Sequence, residues 1–235
     1  GCIPYRLWKA YLELRGWAIP PREGPAAVTF AANGRRFDHV EYPLSRPDIG
    51  RLFSSVPRAS ESGFCCRLSI GDRDLFATGR AQFSYVWRDT DLPLNPLHDY
   101  YLIDPSLDRL PLPEPERRTR VHGSRHEPSF RLEGYSAFVK LERALEQYFG
   151  KRFANFAAIL DWGCGCGRVS RYFGSLEDGS FTGVDVDRDN VRWCGTHLGF
   201  GRFLPIPLRP PTSLESSAFD LIIGISIFTH LDERD

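Results

Sequence analysis

The sequence has little of what would place it in a membrane, in a secretory compartment or on a polyanion. No apolar run approaches the roughly 18 residues needed to cross a bilayer, and we expect no signal peptide. Thirty basic and thirty acidic side chains cancel, which argues against nucleic acid as a partner. The 6 cysteines do not form the pattern of a disulfide framework. We therefore expect a cytoplasmic protein with no membrane span and no nucleic-acid partner.

The stretch 159–168, with the sequence ILDWGCGCGR, has the clearest local pattern in the chain. An apolar run ends in Asp161, and a helical pattern follows over 168–173. Three alternating glycines lie between them, at Gly163, Gly165 and Gly167. Such glycines allow a ligand to approach the backbone without meeting a Cβ atom. The pattern predicts a buried strand, a ligand-binding turn and a helix whose N-terminus offers free N–H groups.

A second strand pattern, over 181–187, also ends in acidic residues. Asp185 lies at the tip of this strand, where a carboxylate can accept hydrogen bonds from ribose hydroxyls. A capping or turn aspartate is the alternative for Asp185. Asp187 is predicted to cap the helix 188–198, because Asp is favoured just before a first helical turn.

Two further strand patterns follow. Prolines interrupt the third, over 203–207, which predicts a short strand or none. The fourth, over 218–225, is followed by Ser226 and by Thr-His-Leu at 229–231. His230 lies just past the strand tip, where a histidine can act as a general base, although a hydrogen-bonded structural histidine is the alternative.

Cys164 and Cys166 alternate with the glycines and raise the question of a metal site. A C-x-C pair without a second pair of ligands nearby is a poor zinc site. We expect both cysteines to be small residues packed in the turn, and no bound metal.

Together these motifs, over 159–231, resemble the class I S-adenosylmethionine-dependent methyltransferases of the small-molecule type. The carriers of the resemblance are D-W-G-C-G-C-G, the acid-tipped second strand, and F-D-L-I followed by T-H-L. It implies a Rossmann-like α/β domain with S-adenosyl-L-methionine across the carboxyl ends of its strands.

The resemblance also implies roles for individual residues. The cofactor-binding set is Asp161, Gly163, Gly165, Gly167, Asp185 and Ser226, and His230 is the catalytic candidate. Of these, Asp161 would help to hold the ammonium group and Asp185 the ribose. The third strand lacks the acid that often binds adenine in this family, so the adenine contact is expected from backbone or from the loop 185–188. The acceptor is expected to be a small molecule or a sugar.

Two alternatives remain open. An NAD-dependent oxidoreductase shares the order of strand, glycines, helix and acid, but the spacing here is not G-x-G-x-x-G. A non-catalytic binding protein could retain a degenerate methyltransferase fold.

The N-terminal region, 1–88, has short β-branched and aromatic runs between turn signals and is predicted to be a small all-β sandwich. Asn33-Gly34 predicts a hairpin, and Pro47 predicts the start of a short helix. The motifs Asn33-Gly34, Arg46-Pro47-Asp48 and Ser62-Gly63-Phe64 resemble accessory β-sandwich domains beside glycosyltransferase and methyltransferase domains in bacterial surface-glycan proteins. That resemblance implies a glycan intermediate as the acceptor.

The predicted organisation is therefore a β-sandwich over 1–88, an irregular proline-rich connector over 89–127 and a cofactor-binding domain over 128–235. Within the last domain a helix is predicted over 135–149, ended by Gly150. The chain has no methionine and stops after the fourth strand pattern. We therefore expect the methyltransferase domain to be incomplete at its C-terminus.

Overall fold

The computed structural model describes residues 5–7, 11–20, 28–70, 79–88, 90–94, 100–104, 107–176 and 180–227. The chain divides into two compact units, Gly1–Asp104 and Pro105–Asp235. No helix among the described residues is long and apolar enough to cross a bilayer.

The described part of the first unit is built from antiparallel sheets. One sheet has the order β1 (Tyr5–Leu7), β2 (Tyr11–Trp17), β6 (Gly63–Ser69) and β5 (His39–Leu44). The other has the order β4 (Arg35–Arg36), β3 (Val28–Ala32), β8 (Phe83–Trp87) and β9 (Thr90–Pro93). Two short strands, β10 (Tyr100–Tyr101) and β7 (Arg80–Ala81), form a separate pair, and one short helix, α1, spans Pro47–Leu52.

Side chains from both four-stranded sheets form one hydrophobic cluster. Phe30 of β3 lies at its centre, with ring centroids 4.4 Å from Phe64 of β6 and 5.7 Å from Tyr85 of β8. The predicted hairpin is present, because Asn33 and Gly34 both have positive φ, at 50° and 78°, and join β3 to β4.

The second unit contains an all-parallel sheet with the order β13 (Arg202–Pro205), β12 (Ser180–Asp185), β11 (Ala158–Trp162) and β14 (Leu221–Gly224). Its helices are α2 (Pro115–His122), α3 (Glu127–Phe149) and α4 (Arg188–His197). A mixed α/β class with a parallel sheet agrees with the expectation. When these four strands are numbered in chain order, their order across the sheet is 3-2-1-4, as in the first part of a doubly wound sheet.

The two central strands, β11 and β12, carry packed side chains on both faces, whereas Ile222 of the edge strand β14 is 61 % exposed. On one face, Phe138 of α3 lies 5.0 Å from Phe173, which in turn stacks at 4.9 Å on Phe181 of β12. On the other face, Leu160 and Val184 are buried in a cluster that includes side chains from the segment between β13 and β14.

Two predictions about the segments that precede the parallel sheet were wrong. The segment 89–127 was expected to be irregular, yet it contains β9, β10 and α2. Helix α2 tolerates its proline because Pro115 lies in the first turn, where a backbone N–H has no intrahelical partner. For the same reason α3 begins at Glu127, with Pro128 in its first turn, rather than at residue 135. The third strand was predicted to be short or absent, and it is present as a short strand of 4 residues that ends at Pro205.

The helix expected over 168–173 also differs. The chain turns as far as Val169, and a 3₁₀ helix then spans Ser170–Ser175. The residues of this segment include an aromatic pair and a glycine, which are weak helix formers. Tertiary contacts then fix the tighter turn, because the Ser170 hydroxyl donates to Asp161 and the Tyr172 hydroxyl donates to the Arg131 carbonyl at 2.8 Å.

Candidate functional site

A cavity of about 590 Å³ lies at the carboxyl ends of β11 and β12. Asp161, Gly163, Gly165 and Asp185 line it on the sheet side. These residues lie together because β11 and β12 are parallel neighbours, with Asp161 opposite Gly183 in the register. Polar groups at the tips of adjacent parallel strands are the usual location of a ligand site in such a sheet.

The glycines of the loop adopt left-handed backbone conformations, with φ of 75° at Gly163 and 54° at Gly165. A Cβ atom at Gly163 would overlap Ile227, and one at Gly165 would lie 2.9 Å from a methyl group of Val121 in α2. The loop is therefore held between the end of β14 and helix α2. Backbone conformation and protein contacts suffice to require glycine at both positions.

Amide groups of the loop are used within the protein. The N–H groups of Gly163 and Cys164 donate to the Val184 carbonyl, with N–O distances of 2.7 and 2.9 Å. The Gly165 N–H donates to Asp185 Oδ2 at 2.7 Å, and the Gly167 N–H donates to the Cys164 carbonyl at 3.0 Å. The glycine turn was expected to lead into a helix with free N–H groups. The N–H groups of Gly163, Cys164, Gly165 and Gly167 are not free, because each donates a hydrogen bond within the protein.

Asp185 connects the two loops at the sheet edge. Its Oδ2 accepts from Gly165, and its Oδ1 accepts from the Asp187 N–H at 2.8 Å. A carboxylate offers about four acceptor positions, so Asp185 retains capacity for ligand hydroxyls. Asp187 caps α4 as predicted, because its Oδ1 accepts from the N–H groups of Asp189 and Asn190.

Asp161 is the most buried acid of the cavity, with 4 % of its surface exposed. Its Oδ2 accepts a hydrogen bond from the Ser170 hydroxyl at 2.6 Å. Burial raises the pKa of Asp161 to about 6; the Ser170 bond opposes this rise, the nearby charge of Asp185 adds to it, and Arg168 opposes it. A cationic ligand group beside Asp161 would offset the free-energy cost of burying its negative charge.

A second pocket, of about 330 Å³, adjoins the cavity and shares Gly163, Asp185 and Ile227 with it. Apolar side chains dominate its other walls, among them Val186, Ile206 and Leu208. Sequence reasoning missed this pocket because the prolines around Ile206 were interpreted only as strand breakers. The signal that could have found it is the apolar content of residues 203–208.

The opposite wall of the cavity is formed by α2 and α3, which contribute Arg120, Val121, His122 and Glu133. Arg120 pairs with Asp187 at 3.1 Å, and Arg117 donates to the Asn190 side chain at 3.0 Å. These contacts hold α2 against the start of α4. Sequence reasoning assigned this wall to the connector and the lead-in to α3 and did not predict its contacts.

The structure therefore brings five of the predicted residues to one cavity, namely Asp161, Gly163, Gly165, Asp185 and Ser226. Gly167 instead packs against Leu198 and Cys194. His230 lies outside the described residues.

The cysteines of the loop are buried, with 6 % of Cys164 and 1 % of Cys166 exposed. Burial raises the pKa of Cys166 to about 12, which keeps it a thiol. In the described ranges, no group of three or more His, Cys, Asp or Glu side chains is placed to hold a metal ion.

No protein-family profile and no curated protein matches the sequence. Among solved structures, the plantazolicin methyltransferase BpumL in complex with SAH is similar at a TM-score of 0.34 with 20% sequence identity. The alignment covers 46% of this chain and 38% of that protein, well under two thirds of its length. Likeness at this level assigns neither a family nor a function.

Proposed function

We propose that the second unit binds S-adenosyl-L-methionine and transfers its methyl group to a small-molecule acceptor. The observation that carries the proposal is a polar cavity with Asp161 and Asp185 on adjacent strand tips, joined to an apolar pocket. These parts correspond to the charged amino-acid end, the ribose and the adenine of the cofactor. The motif resemblance of residues 159–231 supports the same assignment.

Asp161 is proposed to hold the ammonium group. Its carboxylate is buried, lines the cavity and has a pKa raised to about 6. The protein therefore compensates the negative charge of Asp161 poorly, and the ammonium group would compensate it. Arg168 lines the same cavity and is close enough to lower the pKa of Asp161. A carboxylate beside a guanidinium suits the zwitterionic end of an amino acid.

Asp185 is proposed to accept hydrogen bonds from the ribose, since its two oxygens already have fixed positions through Gly165 and Asp187. The adenine is proposed to lie in the apolar pocket beside Val186 and Ile206. Ser226 lines the rim of the cavity and is proposed to contact the cofactor. Gly163 and Gly165 line the cavity, and their backbone is proposed to lie beside the ligand.

The bound cofactor supplies an electrophilic methyl group on a sulfonium. The protein then has to orient the acceptor and remove its proton. His230 is proposed for proton removal on its sequence position alone.

A nicotinamide dinucleotide fits this site less well. Its pyrophosphate needs free N–H groups at the glycine turn, whereas those of Gly163, Cys164, Gly165 and Gly167 donate within the protein. The carboxylates of the cavity would also repel a pyrophosphate. A non-catalytic protein with this fold would bind the cofactor and not turn it over.

Isothermal titration calorimetry with S-adenosylhomocysteine and with NAD⁺ tests the assignment. The protein is expected to bind the first compound and not the second. Asp185→Asn keeps the size of the side chain but removes its charge and one of the two acceptors used by Gly165 and Asp187, so it is expected to weaken binding by about tenfold. Asp189→Asn, on exposed α4 surface, is the matched control and is expected to change nothing. Binding of NAD⁺ alone would contradict the proposal.

For the first unit we propose an accessory β-sandwich, with a glycan intermediate as the type of acceptor that its motif resemblance implies. The single cluster shared by the two four-stranded sheets supports the sandwich. The five cysteines in the described residues are all unpaired, which supports a reducing compartment such as the cytoplasm.

A further inference from the structure

His122 and Glu133 face the cavity from the wall opposite the strand tips, and the cofactor assignment leaves both without a role. His122 is the last residue of α2, and only 6 % of its side chain is exposed. Its ring meets Phe130 of α3 edge-on, with centroids 5.8 Å apart. The imidazole is therefore fixed in place at the cavity.

Hydrogen bonds define which ring nitrogen can take up a proton. The Ser129 hydroxyl donates to the His126 carbonyl at 2.9 Å, so its oxygen is left to accept from His122 Nε2 at 3.1 Å. Nδ1 is then the basic nitrogen. It lies 3.5 Å from Glu133 Oε2. The two helices thus present a proton-accepting pair.

The charges of the cavity favour a cation. Its acidic residues are Asp161, Asp185, Asp187 and Glu133, and its arginines are Arg120 and Arg168. Asp187 is paired with Arg120. With Asp161 and Asp185 assigned to the cofactor, Glu133 is the carboxylate left for a second ligand, and 59 % of its side chain is exposed. An exposed carboxylate beside a histidine suits a protonated amine.

We propose that His122 and Glu133 bind the methyl acceptor, and that this acceptor is an amine; the inference rests on the proposed function. The ammonium group binds to Glu133 and gives one proton to His122 Nδ1. The freed nitrogen lone pair forms the new N–C bond to the methyl carbon as the C–S bond breaks, and its electrons return to sulfur. The positive charge of the sulfonium passes to the methylated amine, and His122 later releases its proton to water.

Sinefungin tests this without knowledge of the acceptor, because it carries a primary amine where the cofactor carries the transferred methyl group. The wild-type protein is expected to bind sinefungin more tightly than S-adenosylhomocysteine by calorimetry. Glu133→Gln is expected to lower the affinity for sinefungin by about threefold to fivefold, the range expected for a partly exposed ion pair. The same variant is expected to leave S-adenosylhomocysteine unchanged. His122→Asn should act in the same direction.

Glu127→Gln is the matched control, because Glu127 also lies on α3 and pairs with an arginine on its own helix. It is expected to change neither affinity. If S-adenosylhomocysteine binds but sinefungin shows no preference, or if Glu133→Gln affects both compounds equally, the amine site is wrong while the cofactor site stands. If neither compound binds, both proposals are overturned.

Discussion

Glu13 in the first unit and Asp161 in the second each expose only 4 % of their surface, Glu13 beneath two arginine side chains and Asp161 in the protein interior, and their pKa values move in opposite directions. Glu13 accepts hydrogen bonds from Arg15 at 2.8 Å and from Arg67 at 3.0 Å, and these lower its pKa. Asp161 accepts from the neutral Ser170 hydroxyl, and burial raises its pKa to about 6.

The difference is in how far each carboxylate charge is compensated within the protein. On the open face of its sheet, Glu13 is covered by two arginines, and its charge is compensated within the protein. Asp161 lines a cavity, and Arg168 compensates its charge only in part. Stability alone would favour a neutral group at position 161, and this is the basis on which Asp161 is proposed to bind a ligand cation.

Among substitutions that test the difference between Asp161 and Glu13, the largest expected effect is on ligand affinity. Asp161→Asn removes the charge that is proposed to hold the ammonium group. It should lower the affinity for S-adenosylhomocysteine by about 10- to 100-fold. Glu13→Gln, the matched change in the first unit, should leave the affinity unchanged. Calorimetric titration of both variants checks this, and equal affinity of wild type and Asp161→Asn would refute the role of Asp161.

The same substitution should have the opposite effect on stability. A pKa raised from 3.8 to about 6 means that the folded state binds this proton more tightly. The resulting stabilisation is fully present below about pH 4 and is lost as the pH rises through about 6. Asp161→Asn should therefore raise the free energy of unfolding of the unliganded second unit by about 1–3 kcal/mol at pH 8.

Urea unfolding at pH 8 and at pH 4.5 measures this difference. The gain from Asp161→Asn should shrink at the lower pH, where Asp161 is already protonated in the folded state. A variant that is less stable than wild type at pH 8 would show that the charge is compensated after all.

Gly134→Ala tests the partial compensation of Asp161 by Arg168, because it moves the loop that carries Arg168. A Cβ atom at Gly134 of α3 would collide with the Arg168 carbonyl, so the loop must shift. We expect a loss of stability of about 1–3 kcal/mol, typical of overpacking, together with weaker binding of S-adenosylhomocysteine. Ser136→Ala on the same helix is the control. Unchanged stability and affinity in Gly134→Ala would mean that the loop and α3 are not tightly coupled.

The smallest effect is expected at Glu13. Glu13→Gln should lower the free energy of unfolding by at most about 1 kcal/mol, because both arginine partners are largely exposed to solvent. Since the folded state lowers the pKa of Glu13, this contribution is present above about pH 4.5 and is lost on acidification. Urea unfolding at pH 7 and pH 3 follows it, and a stabilising Glu13→Gln would remove the contrast with Asp161.

Local patterns in the sequence were enough to predict the parts of the fold that local chemistry determines. The hairpin at Asn33, the cap at Asp187 and the helix end at Gly150, where φ is 62°, each follow from the conformational preference of one residue. Strands β11 and β12 follow from buried apolar runs. Asp161 and Asp185 could be predicted to share a site because parallel strands present their carboxyl ends at one edge.

Contacts between residues distant in the sequence could not be predicted in the same way. Helix α2 was missed because proline density was taken as irregularity, whereas Pro115 simply occupies a first turn. The close approach of Val121 to Gly165, and of His122 to Glu133, depends on how α2 and α3 pack. The use of the loop N–H groups by Val184 likewise depends on the final register of two strands.

The measurement that tests the central claim most directly is the affinity for S-adenosylhomocysteine between pH 5 and pH 8. If Asp161 holds the ammonium group, it must be deprotonated to bind, so wild-type affinity should fall by about tenfold per pH unit below about 6. In Asp161→Asn the affinity should be weak and independent of pH over this range. A wild-type affinity that does not change with pH, or no binding at any pH, would contradict the account.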